Sequence, residues 1–299
     1  MRARSRALAL AAAVVTLTAA APRAEAYCRS TTCVGDCGRT NDLNGCKTEG
    51  APLFWPGLCV SFSLNEQGSE FVDYADFERI AEASVAAWSD VQCDGGAATI
   101  RFVRKSDVAC HVAEYNVDGK NANIILFQDT KWNYSGVDNT LAKTTVTYDT
   151  DTGEILDADI ELNHAYNEFT TGDDNVAYDM QSILTHELGH FIGLDHSDDF
   201  SATMNPGYQE GTTELRTINE DDEAAVCEVY PPTRTVTCRP EPNGGFSGLC
   251  AADDAVVDDS ICALVPGPGQ RPPSPQPVVA LAALAAAATL ARRRARPRR

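Results

Sequence analysis

Hydrophobic residues recur along this chain with periods that change from segment to segment. Cys59-Val60-Ser61-Phe62-Ser63-Leu64 alternates apolar and polar side chains, the pattern of a strand with one face buried. From Tyr74 to Val91 the spacing becomes helical, with Phe77, Ile80, Ala81, Ser84, Val85 and Trp88 on one face. Ala98 to Val103 and Asn123 to Phe127 read as further strands. Thr144 to Tyr148 and Ile155 to Leu162 flank Asp149-Thr150-Asp151-Thr152-Gly153-Glu154, whose Asp and Gly content predicts a hairpin connection. Met180 to Ile192 reads as a helix, and so does Glu220 to Val229. A strand, helix, strand, strand, strand, helix order argues for an α/β or α+β domain with a mostly parallel sheet.

The flanks of this region lack such periods. Residues 27 to 50 hold Cys28, Cys33, Cys37 and Cys46 among Gly, Thr, Asn and Asp, a segment with no core of its own that needs covalent staples. After Pro231 the chain turns irregular again, with Cys238, Cys250 and Cys262 among Pro, Gly and Asp. At the front, Arg2, Arg4 and Arg6 precede an apolar run from Ala7 to Ala21 and the small-x-small site Ala24-Glu25-Ala26, which reads as a secretory signal cut before Tyr27. At the back, a Pro-rich stretch leads into Val278 to Ala291, uncharged, and then into a cluster of six arginines. That apolar run is shorter than the roughly 20 residues that span a hydrocarbon core. The expected organisation is a signal peptide at 1–26, a Cys-rich segment at 27–50, a folded domain at 51–231, a Cys-containing appendage at 232–265, a linker at 266–277 and a tail at 278–299.

Charge sharpens this picture. The formal net charge is −19, from 24 Lys plus Arg against 43 Asp plus Glu. Without the arginine-rich ends the body stands near about −28, so nucleic acid is a poor partner for it. Eleven cysteines in an exported chain read as disulfides, and the odd number leaves one thiol over.

The chemistry is concentrated in His186-Glu187-Leu188-Gly189-His190-Phe191-Ile192-Gly193-Leu194-Asp195-His196. A spacing of four places His186 and His190 one turn apart on a helix face, where both imidazoles reach one metal ion. Gly193 lets the helix end and the chain turn back, which brings His196 round as a third ligand. Three imidazoles leave a tetrahedral zinc with one open position, the mark of a catalytic site. Glu187 is free to take a proton from water held there, and the resulting hydroxide can attack a polarised carbonyl. No Gly-x-Ser-x-Gly occurs, so serine hydrolysis has no support.

With these residues in view, the sequence resembles the metzincin metallopeptidases and, within them, the matrixin family. Ser197 follows the third His as in matrixins, and Ala202-Thr203-Met204-Asn205-Pro206-Gly207-Tyr208 is similar to their Ala-x-Met-x-Pro-x-Tyr turn. The resemblance implies that Met204 is the Met-turn residue beneath the metal and that Pro206 to Tyr208, with Pro206 and Tyr208 as the wall residues, line the pocket for the side chain after the scissile bond. It covers about residues 51 to 231. It implies a metzincin-like fold: a twisted, mostly parallel sheet with an antiparallel edge strand, an active-site helix and a C-terminal helix, with Cys-rich flanks. It also assigns Ile155 to Leu162 as the edge that pairs with an extended substrate. The linker, apolar run and arginine cluster together resemble C-terminal sorting tails of the myxobacterial kind, although Cys262 lies farther from the apolar run than those tails place their cysteine.

Two features depart from animal matrixins. Their latency segment is absent, and Asp36-Cys37-Gly38-Arg39 keeps only Cys-Gly of it, so Cys37 is read as a disulfide partner. Only His111 and His164 remain for a second zinc, so one catalytic Zn2+ is expected. Asp149-x-Asp151-x-Gly153 is similar to part of a calcium loop but has Ile160 where the bidentate Glu belongs, so a hairpin turn is preferred there and calcium is a secondary expectation. The overall expectation is a monomeric, secreted or cell-surface zinc endopeptidase acting on proteins or peptides, its tail inserted transiently in a membrane before sorting or anchoring. The alternative is a non-catalytic, zinc-containing surface binding protein on the same fold.

Overall fold

In the computed structural model of the chain, residues 26–40, 45–135 and 140–251 are described. The signal peptide up to residue 25, the appendage from 252 onward, the linker and the tail lie outside the described residues. The elements begin with β1 (Cys28–Arg29), β2 (Cys59–Leu64), α1 (Tyr74–Ser89), β3 (Gln92–Cys93), β4 (Gly96–Ala97), β5 (Arg101–Arg104) and β6 (Ile124–Phe127). There follow β7 (Ala142–Tyr148), β8 (Ile155–Leu162), β9 (Phe169–Thr170), β10 (Tyr178–Asp179), α2 (Met180–Phe191), β11 (Leu194–Asp195) and α3 (Glu220–Val229).

The central sheet has the order β5-β2-β6-β8-β7. β2 runs parallel to β5 and β6, β6 runs parallel to β8, and β7 lies antiparallel to β8. The mostly parallel sheet with an antiparallel edge is therefore present, but its edge is not where the resemblance placed it. β8 pairs on both sides, with Ile125↔Ile160 toward β6 and Thr144↔Ile160 toward β7. The sheet's edge strands are β5 and β7, and on the side of α2 and the β7–β8 hairpin the free edge of backbone N–H and C=O groups belongs to β7. A second boundary also moves: the strand expected from Ala98 starts at Arg101, because Ala98 N donates to Val91 O and Thr99 N to Tyr230 O instead of to a neighbouring strand.

One face of the sheet packs on α1 and α2. All six residues on the expected apolar stripe of α1, from Phe77 to Trp88, are buried there against Phe62, Leu64, Ile125, Phe127, Ile160 and Leu184. The last turn of α1 is tied to the middle of α2 by Trp88 Nε1, which donates to Thr185 O at 2.8 Å. At the end of α2 the orphan carbonyls find side-chain donors: Trp55 Nε1 bonds Phe191 O at 2.8 Å and the buried Tyr230 hydroxyl bonds Ile192 O at 2.7 Å.

The other face is polar and also buried. Strand alternation places Ser61, Ser63, Asp157, Asp159 and Glu161 there, each no more than 3% exposed. They are covered by the loop from 105 to 122 and by residues 237–251. Asn65 Nδ2 bonds Val108 O and Cys110 O, and Asn121 Nδ2 bonds Asn243 O. β6 is apolar on both faces for this reason: Ile125 and Phe127 join the main core, while Ile124 and Leu126 meet Val108, Cys110, Ala122 and Cys250. Disulfide Cys59–Cys238 pins this cover to β2, Cys110–Cys250 joins its two segments to each other, and Cys93–Cys227 ties the β3 turn to α3. Cys28–Cys46 and Cys33–Cys37 staple the N-terminal segment, so Cys37 is a disulfide partner. Ten cysteines are paired, and the eleventh is Cys262, outside the described residues.

Asp157 and Asp159 lie side by side on the buried polar face, and burial pushes both carboxyls well above the ordinary carboxylate range. The folded chain thus keeps protons there that the unfolded chain has released. Stability is fullest below the ordinary carboxylate pKa and falls as pH climbs from there toward the raised values. Replacing Asp157 by Asn should flatten this slope. The melting temperature is expected to rise relative to the wild type at pH 8, by about 3 °C for each kcal/mol relieved, with the difference closing toward pH 4. Calorimetric scans of both proteins across that range check it.

Candidate metal centre and substrate cleft

The centre is built on α2 and the turn that follows it. Asp179 caps the helix, its carboxylate accepting from Ser182 N at 2.8 Å, and Arg216 Nε meets the same carboxylate at 2.8 Å. On the helix, His186 and His190 lie a turn apart. After Phe191 the chain reverses at Gly193, with φ +93°, where a Cβ would come within 2.6 Å of Leu53 O. The reversal is held by the N-terminal segment: β1 pairs antiparallel with β11 through Cys28↔Asp195 and Arg29↔Leu194, and Ser30 N donates to Gly193 O. This places His196 beside the other two imidazoles.

All three histidines offer ligand nitrogens within 4.8 Å of one another, and the Nε2 atoms of His190 and His196 are 3.2 Å apart. Two nitrogens on a tetrahedral zinc stand about 3.3 Å apart at the usual bond lengths, so the donor set fits the ion. Main-chain carbonyls fix the ring orientation. His186 Nδ1 lies 2.6 Å from Thr203 O and His190 Nδ1 lies 2.9 Å from Leu194 O, which makes each Nδ1 the donor and leaves Nε2 as the ligand. Burial, reinforced by the neighbouring imidazoles, lowers His186 to about 3 and His196 to about 4, so both rings are neutral near pH 7. Neutral imidazole is the form that binds a metal.

Beneath the centre lies Met204, 1% exposed. Gly189 faces it, and a Cβ there would sit 2.1 Å from Met204 Sδ and 3.0 Å from Trp88 Cζ2. The glycine within the motif is thus the price of a close helix approach. Asp222 at the start of α3 holds this turn: its carboxylate accepts from Thr203 N at 2.7 Å and from Met204 N at 3.1 Å. Burial raises its pKa to about 6, against the backbone N–H groups that lower it. The neighbouring Asp221 accepts from Ser197 Oγ at 2.6 Å and from Ala26 N at 2.9 Å.

Glu187 is 7% exposed, and one carboxylate oxygen, Oε2, accepts from Thr144 Oγ1 on β7 at 2.6 Å. Burial raises its pKa, while the neighbouring His190 and the Thr144 hydroxyl oppose that shift. A cleft of about 500 Å³ opens along β7 over the three histidines and Glu187. Its apolar end is lined by Leu141, Tyr178, Ile183 and Leu215, with Pro206 and Tyr208 on its rim. Tyr208 is anchored through its hydroxyl, which accepts from Asp179 N at 2.8 Å and donates to Thr212 O at 2.7 Å. All seven residues singled out from the sequence, Glu187, His186, His190, His196, Met204, Pro206 and Tyr208, therefore meet in one place. Thr144, Asp179, Arg216 and Asp222 were not foreseen; of these only Asp179 left a readable trace, as an acidic residue three before Ser182 at a helix start.

The other sequence candidates lie apart. His164 stacks on Phe71 with ring centroids 4.8 Å apart and packs edge-on against Phe127 and Phe169. Asp149 turns inward, accepting from Asp151 N and Thr152 N within its own hairpin, as the turn reading expects. Cys110, Glu114 and Cys250 cluster, but the two sulfurs are joined to each other and offer no thiolate.

Comparison with known proteins gives the same outline. A family profile described as Matrixin matches residues 55–231, more than half of the chain. Metalloendoproteinase 1-MMP of Arabidopsis thaliana is 41% identical over 90 residues, 30% of this chain and 22% of the relative. Human matrix metalloproteinase-16 is 38% identical over 63 residues, 19% of this chain and 10% of the relative, and rat matrilysin is 35% identical over 63 residues, 21% and 24% respectively. The chain thus spans less than a quarter of the length of each of these relatives.

Two substitutions test the support beneath the centre. Gly189→Ala should lower stability by about 1–3 kcal/mol even though alanine is the better helix former, because the new methyl meets Met204. Asp222→Ala leaves two buried N–H groups without an acceptor and should cost about 3 kcal/mol, with zinc affinity falling about tenfold as Thr203 O loses its position. Denaturant titration and competition with a chromogenic chelator measure the two effects.

Proposed function

The chain belongs to the matrixin family, and from that premise we propose that it is an exported zinc-dependent endopeptidase. The observation that carries this reading is the convergence of His186, His190 and His196 with Glu187 inside a cleft that runs along an unpaired strand edge. Zinc bound by the three imidazoles would polarise the scissile carbonyl and acidify a water molecule.

The protein residues divide the remaining work. β7 offers its free backbone edge to an extended peptide lying antiparallel to it, which binds main chain without regard to sequence. The apolar end of the cleft, near the start of β7, then receives the side chain that follows the scissile bond, with Tyr208 and Leu215 among its walls. Glu187 takes the proton of the attacking water and returns it to the leaving amine. Peptide hydrolysis proceeds in this scheme without a covalent intermediate. Met204 keeps the floor beneath the ligands apolar and closed. Five disulfides among the described residues support an oxidising, extracytoplasmic location.

Glu187→Ala is the direct test. The variant should keep one zinc per chain, by elemental analysis, and lose at least about a thousandfold in turnover of casein or a peptide library. A wild type that holds zinc and cleaves neither would overturn the protease reading in favour of zinc-dependent surface binding.

A further inference from the structure

Resting on that reading, we propose that Thr144 is a positioning residue that fixes which oxygen of Glu187 faces the reacting water. Ala142, Thr144 and Val146 alternate on the face of β7 turned toward α2. Ala142 is buried in the main core and Val146 packs against it. Thr144 is therefore a hydroxyl set between two aliphatic neighbours, Ala142 and Val146, at a place where valine would have the same shape.

That hydroxyl carries one proton and meets two acceptors. Glu187 Oε2 is 2.6 Å away and the main-chain oxygen of Glu187 is 3.0 Å away. The shorter distance and the negative charge on the carboxylate both favour Oε2. With Oε2 occupied in this way, Oε1 is the oxygen left to accept a proton from water. The donor sits on the same strand that offers its edge to substrate, so the strand that aligns the peptide also orients the base. A Glu side chain has three rotatable bonds, and holding it in one orientation before the reaction removes a cost that would otherwise fall in the transition state.

Thr144→Val removes the hydroxyl and keeps the branched shape; Thr144→Ser keeps the hydroxyl. On a peptide cleaved by the wild type, Val should lower kcat roughly tenfold to a hundredfold with KM and zinc content unchanged, and Ser should stay within about threefold of the wild type. Binding of a peptide hydroxamate, whose hydroxyl hydrogen-bonds a carboxylate beside the metal, supplies a readout that needs no turnover. Calorimetric Kd for this probe should rise about tenfold in Thr144→Val, and the same substitution should have no further effect in a Glu187→Ala background. Equal losses in both backgrounds, a loss confined to KM, or a Val variant indistinguishable from the wild type would overturn the role of Thr144. Absence of turnover in the wild type would count against the protease reading instead, and the hydroxamate cycle would still decide on Thr144.

Discussion

The close approach of α2 to the turn at 203–205 is the constraint on which the rest of the site depends. A helix that packs on the Met204 turn through Gly189 brings the peptide between Thr203 and Met204 within reach of His186, and Thr203 O then orients that ring. One more carbon at Gly189 would meet Met204 Sδ at 2.1 Å and Trp88 Cζ2 at 3.0 Å, so the side chains beneath the helix would have to shift. The same approach buries His186 enough to lower its pKa and keep the ring neutral, so its orientation and protonation state follow from one packing decision. Asp222 extends the constraint to α3, since its carboxylate fixes the two N–H groups of the turn. The metal centre is thus assembled from three helical or turn segments that are individually ordinary.

Much of this was legible in the sequence. The six buried residues of α1 follow the helical period, and α3 begins and ends where its polar start and apolar face predict. The convergence of His186 and His190 could be read because a helix fixes spacing: four residues apart means one turn apart in any fold. Strand order could not be read in the same way. The hairpin between β7 and β8 announces their pairing but leaves open which of them has a further neighbour, and only the parallel pairing of β6 with Ile160, Glu161 and Leu162 settles that β7 is the edge. Thr144 and Asp222 were invisible for a related reason. Each touches the site from 18 or more residues away in sequence, and a threonine in a strand or an aspartate at a helix start already has an adequate local explanation.

The polar side of the sheet shows how a small domain uses its surroundings. Asp157 and Asp159 would be unremarked on a solvated face, but the loop from 105 to 122 and residues 237–251 cover them. The cover has little apolar surface of its own, a few residues around Val108, Ala122 and Phe246. It relies on two disulfides spanning 179 and 140 positions, one holding it to β2 and one joining its two segments, which restrict the unfolded chain far more than any local contact could. Polar burial and covalent stapling are two sides of one arrangement here.

The N-terminal strand β1 has a thermodynamic consequence beyond its two residue pairs. Cys28 bonds Cys46 on one side and stands opposite Asp195, next to the third ligand, on the other. Whatever orders β1 therefore favours the ligand geometry, and whatever fixes His196 favours the order of β1. By reciprocity the Cys28–Cys46 bond, by ordering β1, favours the turn that carries His196, and an ordered turn favours the closed staple. The staple of an irregular segment and the placement of an imidazole are thus joined through one short stretch of backbone.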